Sequence, residues 1–174
     1  MNLPIDPPWL RAARSQIGVR EIPGPRHSPG VMGMVQRAKG WLGIAVHDDE
    51  TPWCGTFVAS CMAIAGFRPP RGAIGARAIW WAGWGEAISS TGTRPPLGSI
   101  AVFTRAGGGH VGFVVAVYEN GDLDILGGNQ ANAVNIRRFP RARLTAFRWP
   151  PGAAMAGPAP WANAATQITD GNEA

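Results

Sequence analysis

The change of hydrophobic period near Pro95 is the feature that most constrains the fold of this 174-residue chain. Before Pro95 apolar residues recur at helical spacing, whereas after it they fall into five short runs rich in Val, Ile and Phe. Helices followed by consecutive strands are typical of an α+β fold rather than of a doubly wound one. We therefore expect N-terminal helices packed on a roughly five-stranded antiparallel sheet, with strands at residues 98–103, 110–118, 122–126, 134–139 and 144–149.

Helical signals divide the sequence before Pro95 into four segments. The first two begin with residues suited to cap a helix, Asp6 and Ser28. The last carries three tryptophans, which are typical of a core or of the wall of a groove. The segments cover about residues 6–17, 28–39, 52–66 and 75–84.

The length of the chain suits one domain, which we place at residues 1–150. Residues 151–174 are rich in Pro, Ala and Gly and lack periodicity, so we expect this tail to be mostly disordered. Trp161 is the one residue of the tail suited to anchor it.

The third helical segment places a cysteine, Cys54, at the opening of a helix. Asp49, Glu50 or Thr51 can cap that helix, and Pro52 suits its first turn because a proline lacks the N–H that would be unpaired there. A thiol in the first turn lies at the positive end of the helix dipole, so its thiolate, the form that attacks carbonyl groups, is favoured. The alternative is that Cys54 is simply a small buried apolar residue.

Cys61, the second cysteine, follows Cys54 by two helical turns. At about 1.5 Å per residue the two lie roughly 10 Å apart, whereas a disulfide needs Cα atoms within about 7 Å. We therefore expect no disulfide between them and place Cys61 in the core. The spacing of the cysteines and histidines also argues against a zinc site.

A nucleophilic cysteine needs a base, and His110 is the best placed of the three histidines. His110 opens a predicted strand directly after three glycines, which have no side chains to block access. By contrast, His27 lies in a proline-rich connection and His47 in a polar loop. A lone histidine more often has a structural role, but the pairing with Cys54 favours a catalytic one.

A third polar residue, needed to orient the base, can be predicted from the hairpin register. Asn120-Gly121 between two strand runs predicts a two-residue turn. Counting along both strands from that turn places Asn129 on the same face as His110, diagonally opposite and within reach of its ring. Asn129 is therefore our choice, although one bulge in residues 126–128 would favour Gln130 instead. The remaining alternative is that this stretch is merely a turn.

Four motifs in this order resemble the CHAP and NlpC-type papain-like cysteine hydrolases, and more narrowly a group of small phage and prophage lysis proteins. The resemblance covers roughly residues 9–150. Many CHAP proteins have Glu as the third residue and NlpC-type ones a second His, whereas this chain has Asn129. The motifs are residues 51–58, 98–103, 109–114 and 127–130, with an N-terminal echo at residues 17–24.

The resemblance implies a papain-like fold and an endolysin-like enzyme that hydrolyses an amide bond in the peptide part of peptidoglycan or its link to muramic acid. It would act as an endopeptidase or an N-acetylmuramoyl-L-alanine amidase. Cys54 would form a thioester, His110 would be the base and Asn129 its orienting residue, and no metal or cofactor is expected. The candidate substrate-binding residues are Trp53, Asp49, Glu21 and Gln130.

Acidic residues before the cysteine helix have plainer interpretations too. Asp48, Asp49 and Glu50 can select a cationic group of the substrate or bind calcium, but three acids before a helix more often complement its dipole, and there is no full calcium loop. Glu21 can equally serve in capping or in a salt bridge.

The net charge of +5 comes almost entirely from arginine. It favours an anionic partner such as a cell envelope, or it reflects genomic composition. Nucleic-acid binding is not expected, because aromatic residues do not alternate with basic ones and no reading motif is present. The arginines of residues 137–148 suit a solvated sheet edge.

The start of the sequence has no basic region followed by an apolar one, and no apolar run of about 18 residues occurs. We therefore expect synthesis in the cytoplasm without a signal peptide, release by a holin-type membrane protein, and action on the periplasmic cell wall as a monomer. The alternative function is a non-catalytic cell-wall or protein-binding domain on the same fold.

Overall fold

The predicted change from helices to strands is present in the computed structural model, which describes residues 5–42, 47–71, 76–91 and 94–162, without the side chains of residues 40–42. In these parts of the chain three α-helices and a short 3₁₀ helix, Ala78–Gly83, precede most of the sheet. The α-helices are α1 (Pro8–Arg14), α2 (Pro29–Leu42) and α3 (Cys54–Ile64). No helix of the described residues is both long and apolar enough to cross a membrane.

The sheet is antiparallel and has six strands in the order β1-β6-β2-β3-β4-β5, which confirms the α+β class. The five predicted strands are all present, and the prediction of five missed only β1, which has three residues and pairs with β6 at one edge. A strand of three residues is too short to show an alternation of apolar and polar residues in the sequence. The strands are β1 (Glu86–Ile88), β2 (Ile100–Arg105), β3 (Gly108–Val117), β4 (Leu123–Gly127), β5 (Asn135–Phe139) and β6 (Leu144–Trp149).

The helix α3 is the centre of the packing. Residues 54–62 are all buried, and α3 contacts α1, α2 and β3. Its Phe57 packs against Phe113 of β3, with ring centroids 6.1 Å apart. Cys61 is fully buried, as predicted, and both cysteines are free thiols.

The two faces of the sheet carry separate apolar clusters. Alternate residues of β3, Val111 and Phe113, belong to the cluster that includes the helices. Val114, the residue after Phe113, belongs to a second cluster on the other face, together with Phe103 and Phe139. His110, which pairs with Phe103 and stacks on Phe139 at 4.9 Å, lies on this second face.

Helix ends differ from the predictions in two places. α1 is shorter than predicted and its N-cap is Pro7, because Asp6 is engaged in an ion pair with Arg14 instead (Oδ2 to Nε 2.7 Å). The segment at 75–84 forms the 3₁₀ helix rather than a longer helix, and position 75 itself lies outside the described residues. The predicted cap Ser28 is confirmed, since its Oγ accepts the N–H of Val31 at 3.4 Å.

The hairpin between β3 and β4 has a different register from the predicted one. Tyr118 donates its N–H to the carbonyl of Asp122, so three residues form the turn, and Gly121 takes the left-handed conformation with φ 89°. The register shifts again between Val114 and Ala116. The predicted two-residue turn is therefore wrong, and the pairing derived from it is displaced by two positions at the His110 end.

The first part of the predicted tail is not disordered. Residues 151–162 run beside the sheet, where Leu97 donates its N–H to Gly157 and Val117 donates to Pro160, at 2.8 and 2.9 Å. Ala159 is fully buried in the second apolar cluster. The prediction for residues 163–174 concerns positions outside the described residues.

Trp9 of α1 joins the start of the chain to the sheet, so its replacement tests the packing. Its indole N–H donates to the carbonyl of Gly98 at 2.8 Å, and its ring packs edge-on against Trp149 at 5.0 Å. We expect Trp9→Ala to lower the free energy of unfolding by about 3–5 kcal/mol, and Trp9→Phe, which keeps the apolar ring, by about 1–2 kcal/mol.

Urea titration monitored by circular dichroism measures both changes. Trp80→Ala is the matched control, because Trp80 is 52% exposed and should lose less than about 1 kcal/mol. Equal losses for Trp9→Phe and Trp9→Ala would contradict this packing.

Candidate active site

Cys54 is the first residue of α3 and follows Trp53, which occupies the N-cap without a side-chain capping hydrogen bond. The helix therefore begins two residues later than predicted. None of the predicted caps at residues 49–51 caps it, because Trp53 already leaves the helical conformation (φ −117°, ψ 14°).

The sulfur of Cys54 reaches the backbone of β3. The N–H of Val111, the residue after His110, lies close enough to the sulfur to act on the pKa of the thiol. Gly108 and Gly109, the residues before His110, line the same groove as Cys54. The start of α3 thus lies against the backbone on both sides of His110.

The environment of the Cys54 thiol combines opposing effects. Burial raises its pKa, because Cys54 is only 6% exposed. The N–H of Val111, the positive charge of Arg105 and the N–H groups of Gly55 and Cys54 itself act in the lowering direction. The net pKa is raised, so the predicted lowering by the helix start alone is wrong: burial outweighs it.

The imidazole of His110 is fixed by Gln130. His110 is 1% exposed, and its Nε2 lies 3.0 Å from Gln130 Oε1. The amide NH₂ of Gln130 donates to the carbonyl of Ile125 at 3.3 Å and to the carbonyl and Oδ1 of Asn135, both at 2.8 Å. Because these acceptors occupy the NH₂ group, the oxygen must face the ring.

This orientation of Gln130 selects the tautomer of His110. An amide oxygen only accepts, so Nε2 must carry the proton in the neutral ring. The lone pair of the neutral ring is then on Nδ1. A histidine held in this way has a defined basic nitrogen.

Gly127 makes room for this contact. A Cβ at position 127 would lie 2.5 Å from Gln130 Oε1 and 3.0 Å from His110 Nε2. The glycine is therefore required by close approach, and the motif Gly127-Gly128-Asn129-Gln130 is more than a turn sequence.

Asn129 does not occupy the predicted place beside His110. It lies in the left-handed conformation with φ 57°, and its Oδ1 is buried without a hydrogen-bond partner among the described residues. The prediction of Asn129 beside the ring was wrong because the chain leaves β4 after Gly127 and Asn129 takes the left-handed conformation, and the alternative Gln130 contacts the ring instead.

The groove in front of Cys54 has a volume of about 540 Å³. One wall is formed by Ile79 and Trp80, which are 41% and 52% exposed, while the neighbouring Trp81 is fully buried. Arg105 and the glycine loop, residues 107–109, form another side. The sequence prediction missed Trp80 and Arg105 as groove residues. The tryptophan cluster predicted either a core or a groove wall, and it contributes to both, since Trp81 is buried and Trp80 lines the groove.

A protein-family model matches the part of the chain that contains this site. Residues 46–129 match the CHAP domain. The match includes Cys54 and His110 and ends just before Gln130. It supports the CHAP family of peptidases and hydrolases, and a CHAP domain implies activity of the peptidoglycan-hydrolase type. Comparisons with curated proteins and with solved structures gave no significant match.

Within the CHAP region, Trp53 is part of the core rather than of a substrate site. It is 1% exposed, and its indole N–H donates to Glu21 Oε1 at 2.6 Å. A Cβ at Gly128 would lie 2.6 Å from its ring, so the two residues are in close contact. Burial raises the pKa of Glu21, the hydrogen bond from Trp53 lowers it, and the charges of Asp49 and Glu50 raise it further.

Asp49 is also structural. It is fully buried, and its Oδ2 accepts the backbone N–H groups of Ile22 and Ser28 at 3.0 and 2.8 Å, while Oδ1 lies 3.1 Å from His27 Nδ1. Of the four candidate substrate-binding residues, Trp53, Asp49 and Gln130 are thus buried in internal contacts, and only Glu21 is partly exposed. Among the described residues, no group of three His, Cys, Asp or Glu side chains is arranged to hold a metal ion.

The pH dependence of stability tests the role of Asp49. Burial acts to raise its pKa, but the N–H groups of Ser28 and Ile22 and the contact with His27 outweigh burial and lower the pKa from its ordinary value of 3.8. A lowered pKa means that the carboxylate stabilises the fold fully above pH 3.8 and loses this effect as the pH falls through the folded value.

We expect Asp49→Ala to lower the free energy of unfolding by about 2–3 kcal/mol at pH 7, because the N–H of Ser28 loses its acceptor. The difference from the unmodified protein should shrink as the pH falls below 3.8. Denaturation at a series of pH values measures it, and a difference that stays constant to the acid limit would contradict the assignment.

Proposed function

We propose that the protein is an endolysin-like peptidoglycan hydrolase that cleaves an amide bond in the cell-wall stem peptide, or its link to muramic acid, through Cys54, His110 and Gln130. The observation that carries this proposal is that the start of α3 brings the Cys54 sulfur to the backbone of Val111, the residue after His110 in β3, and that Gln130 holds the His110 ring. The groove in front of the sulfur supplies space for a peptide.

The first step forms a thioester. His110 takes the thiol proton at Nδ1, and the Cys54 sulfur attacks the amide carbonyl of the substrate. The N–H of Cys54 at the start of α3 stabilises the negative oxygen. The C–N bond then breaks, and the proton held by His110 goes to the leaving amine.

The second step hydrolyses the thioester. His110 takes a proton from water, the hydroxide adds to the carbonyl, and the C–S bond breaks. The products are a carboxylate and the regenerated thiol, so the enzyme needs neither an oxidant nor a bound cofactor. The role of Gln130 is to keep the hydrogen bond to Nε2, which stabilises the imidazolium formed in both steps.

The biological role that we propose is cell lysis of the phage or prophage type. A holin-type membrane protein would give the enzyme access to the periplasmic wall. The support for this role is the resemblance of the motifs at residues 51–58 and 127–130 to small lysis proteins.

Removal of the nucleophile tests the enzymatic proposal. Cys54→Ala should lower the rate of turbidity loss of purified cell walls by at least about 10³-fold. Circular dichroism checks that the variant folds. The matched control is Cys61→Ala, because Cys61 is fully buried in the core. This variant should keep most of the activity.

Walls that clear equally fast with Cys54→Ala would overturn the role of Cys54, whereas no clearing by the unmodified protein would favour the alternative of a non-catalytic binding domain. In that case co-sedimentation with purified walls should still detect binding.

A pair of variants tests whether Gln130, rather than Asn129, orients the ring of His110. Gln130→Ala should lower kcat roughly 10²-fold and change the pH profile of kcat/KM, because the hydrogen bond to His110 Nε2 is lost. Asn129→Gly should change kcat by less than about threefold, since glycine adopts φ 57° without strain and the Oδ1 of Asn129 has no hydrogen-bond partner in the described structure. A loss at Asn129 as large as that at Gln130 would return the orienting role to Asn129.

A further inference from the structure

Arg105 is the charged side chain nearest to the chemistry of the groove. It is the last residue of β2, where it pairs with Gly108, and it lies on the same face of the sheet as His110. Its Nε lies 3.9 Å from the point that a Cβ at Gly108 would occupy, so the guanidinium lies against the glycine loop. Arg105 and Cys54 line the same groove.

The Nε of Arg105 is buried and has no hydrogen-bond partner among the described residues, as is also the case for Arg148 Nε. By comparison, Arg138 Nε donates to Asp122 at 2.9 Å and Arg143 Nε donates to the carbonyl of Thr104 at 3.0 Å. A buried donor of this kind is costly unless something binds it.

The residues that line the groove are positively charged on balance. Among the described residues the lining includes Arg105 and the exposed Arg77 but no acidic side chain. The opposite wall, Ile79 and Trp80, offers an apolar surface. This combination suits a peptide that carries an acidic group at its centre and aliphatic parts beside it.

We propose that Arg105 binds a carboxylate of the substrate next to the scissile amide bond, so that the groove selects an acidic peptide over its amidated form. This inference rests on the proposed function and adds a specificity-determining residue to it. A planar guanidinium binds a carboxylate through two parallel hydrogen bonds, which gives direction as well as affinity. The same charge lies close enough to Cys54 to lower the pKa of the thiol.

Alkylation of Cys54 tests the anion site without any peptidoglycan. Iodoacetate carries a carboxylate, whereas iodoacetamide carries the neutral amide of nearly the same shape. The same thiolate attacks the CH₂ carbon of either reagent and displaces iodide, so the ratio of the two rates cancels any change in the thiolate population that a substitution causes. The labelled peptide is identified by mass spectrometry, which separates Cys54 from the buried Cys61.

We expect the rate ratio of iodoacetate to iodoacetamide to be roughly tenfold higher in the unmodified protein than in Arg105→Gln. Arg105→Lys, which keeps the charge but loses the planar pair of donors, should give an intermediate ratio. Arg137→Gln is the matched control, because Arg137 is a strand arginine that does not line the groove, and its ratio should be unchanged.

Equal ratios in the unmodified protein and in both folded Arg105 variants would overturn the proposal. Circular dichroism of each variant establishes that it is folded. If Arg105→Gln does not fold, Arg105→Lys is compared with the unmodified protein instead.

A second experiment links the site to the substrate. Purified cell walls are divided, and one half is converted to carboxamides with carbodiimide and ammonia. The unmodified protein should digest the amidated walls at least roughly tenfold more slowly, whereas Arg105→Gln should digest both at similar low rates. Equal digestion of both walls by the unmodified protein contradicts the proposal.

If neither wall is digested, the proposed hydrolase function fails. The labelling ratio then decides alone: a ratio that depends on Arg105 supports an anion site beside the thiol, and a ratio that does not depend on it overturns that site.

Discussion

The hydrogen bond between His110 and Gln130 is the interaction on which the arrangement of the site depends. It joins the start of β3 to the segment after β4, two parts of the chain that the sheet itself does not pair at this point. Asn135 of β5 fixes which end of the Gln130 amide faces the ring, because its Oδ1 accepts a hydrogen bond from Gln130 Nε2. The Nδ2 of Asn135 in turn donates to the backbone carbonyl of Gln130 at 2.8 Å. A base with a defined tautomer thus results from contacts among three strands, and the empty Cβ position at Gly127 is what permits them.

The thiol side of the site is governed by burial. The start of α3 brings backbone N–H groups to Cys54, and Arg105 brings a positive charge, yet the pKa remains raised because so little of the side chain is exposed. In the proposed reaction a neutral thiol then needs a neighbouring base to take its proton before it attacks. The proposal therefore depends more on His110 than on the helix dipole, since a dipole stabilises only charge that has already formed.

Much of the fold could be predicted from the sequence because it depends on local composition. The five longer strands are short runs rich in Val, Ile and Phe between turn residues, and residues 144–149 match β6 in both bounds. The site was less accessible. Cys54 and His110 stand out by residue type, but the choice between Asn129 and Gln130 depended on where β4 ends, because side chains no longer alternate between the two faces after Gly127. Trp53 and Asp49 resemble surface recognition residues in sequence, and only tertiary contacts reveal that both are buried.

The segment after β6 has a consequence for how the protein is made. Ala159 fills the second apolar cluster, and Trp9 near the other end of the chain packs against Trp149. Contacts that close the core therefore join residues separated by most of the sequence, and contacts of such long separation slow folding. The core around Cys54 and His110 is therefore complete only once the segment that carries Ala159 has been synthesised.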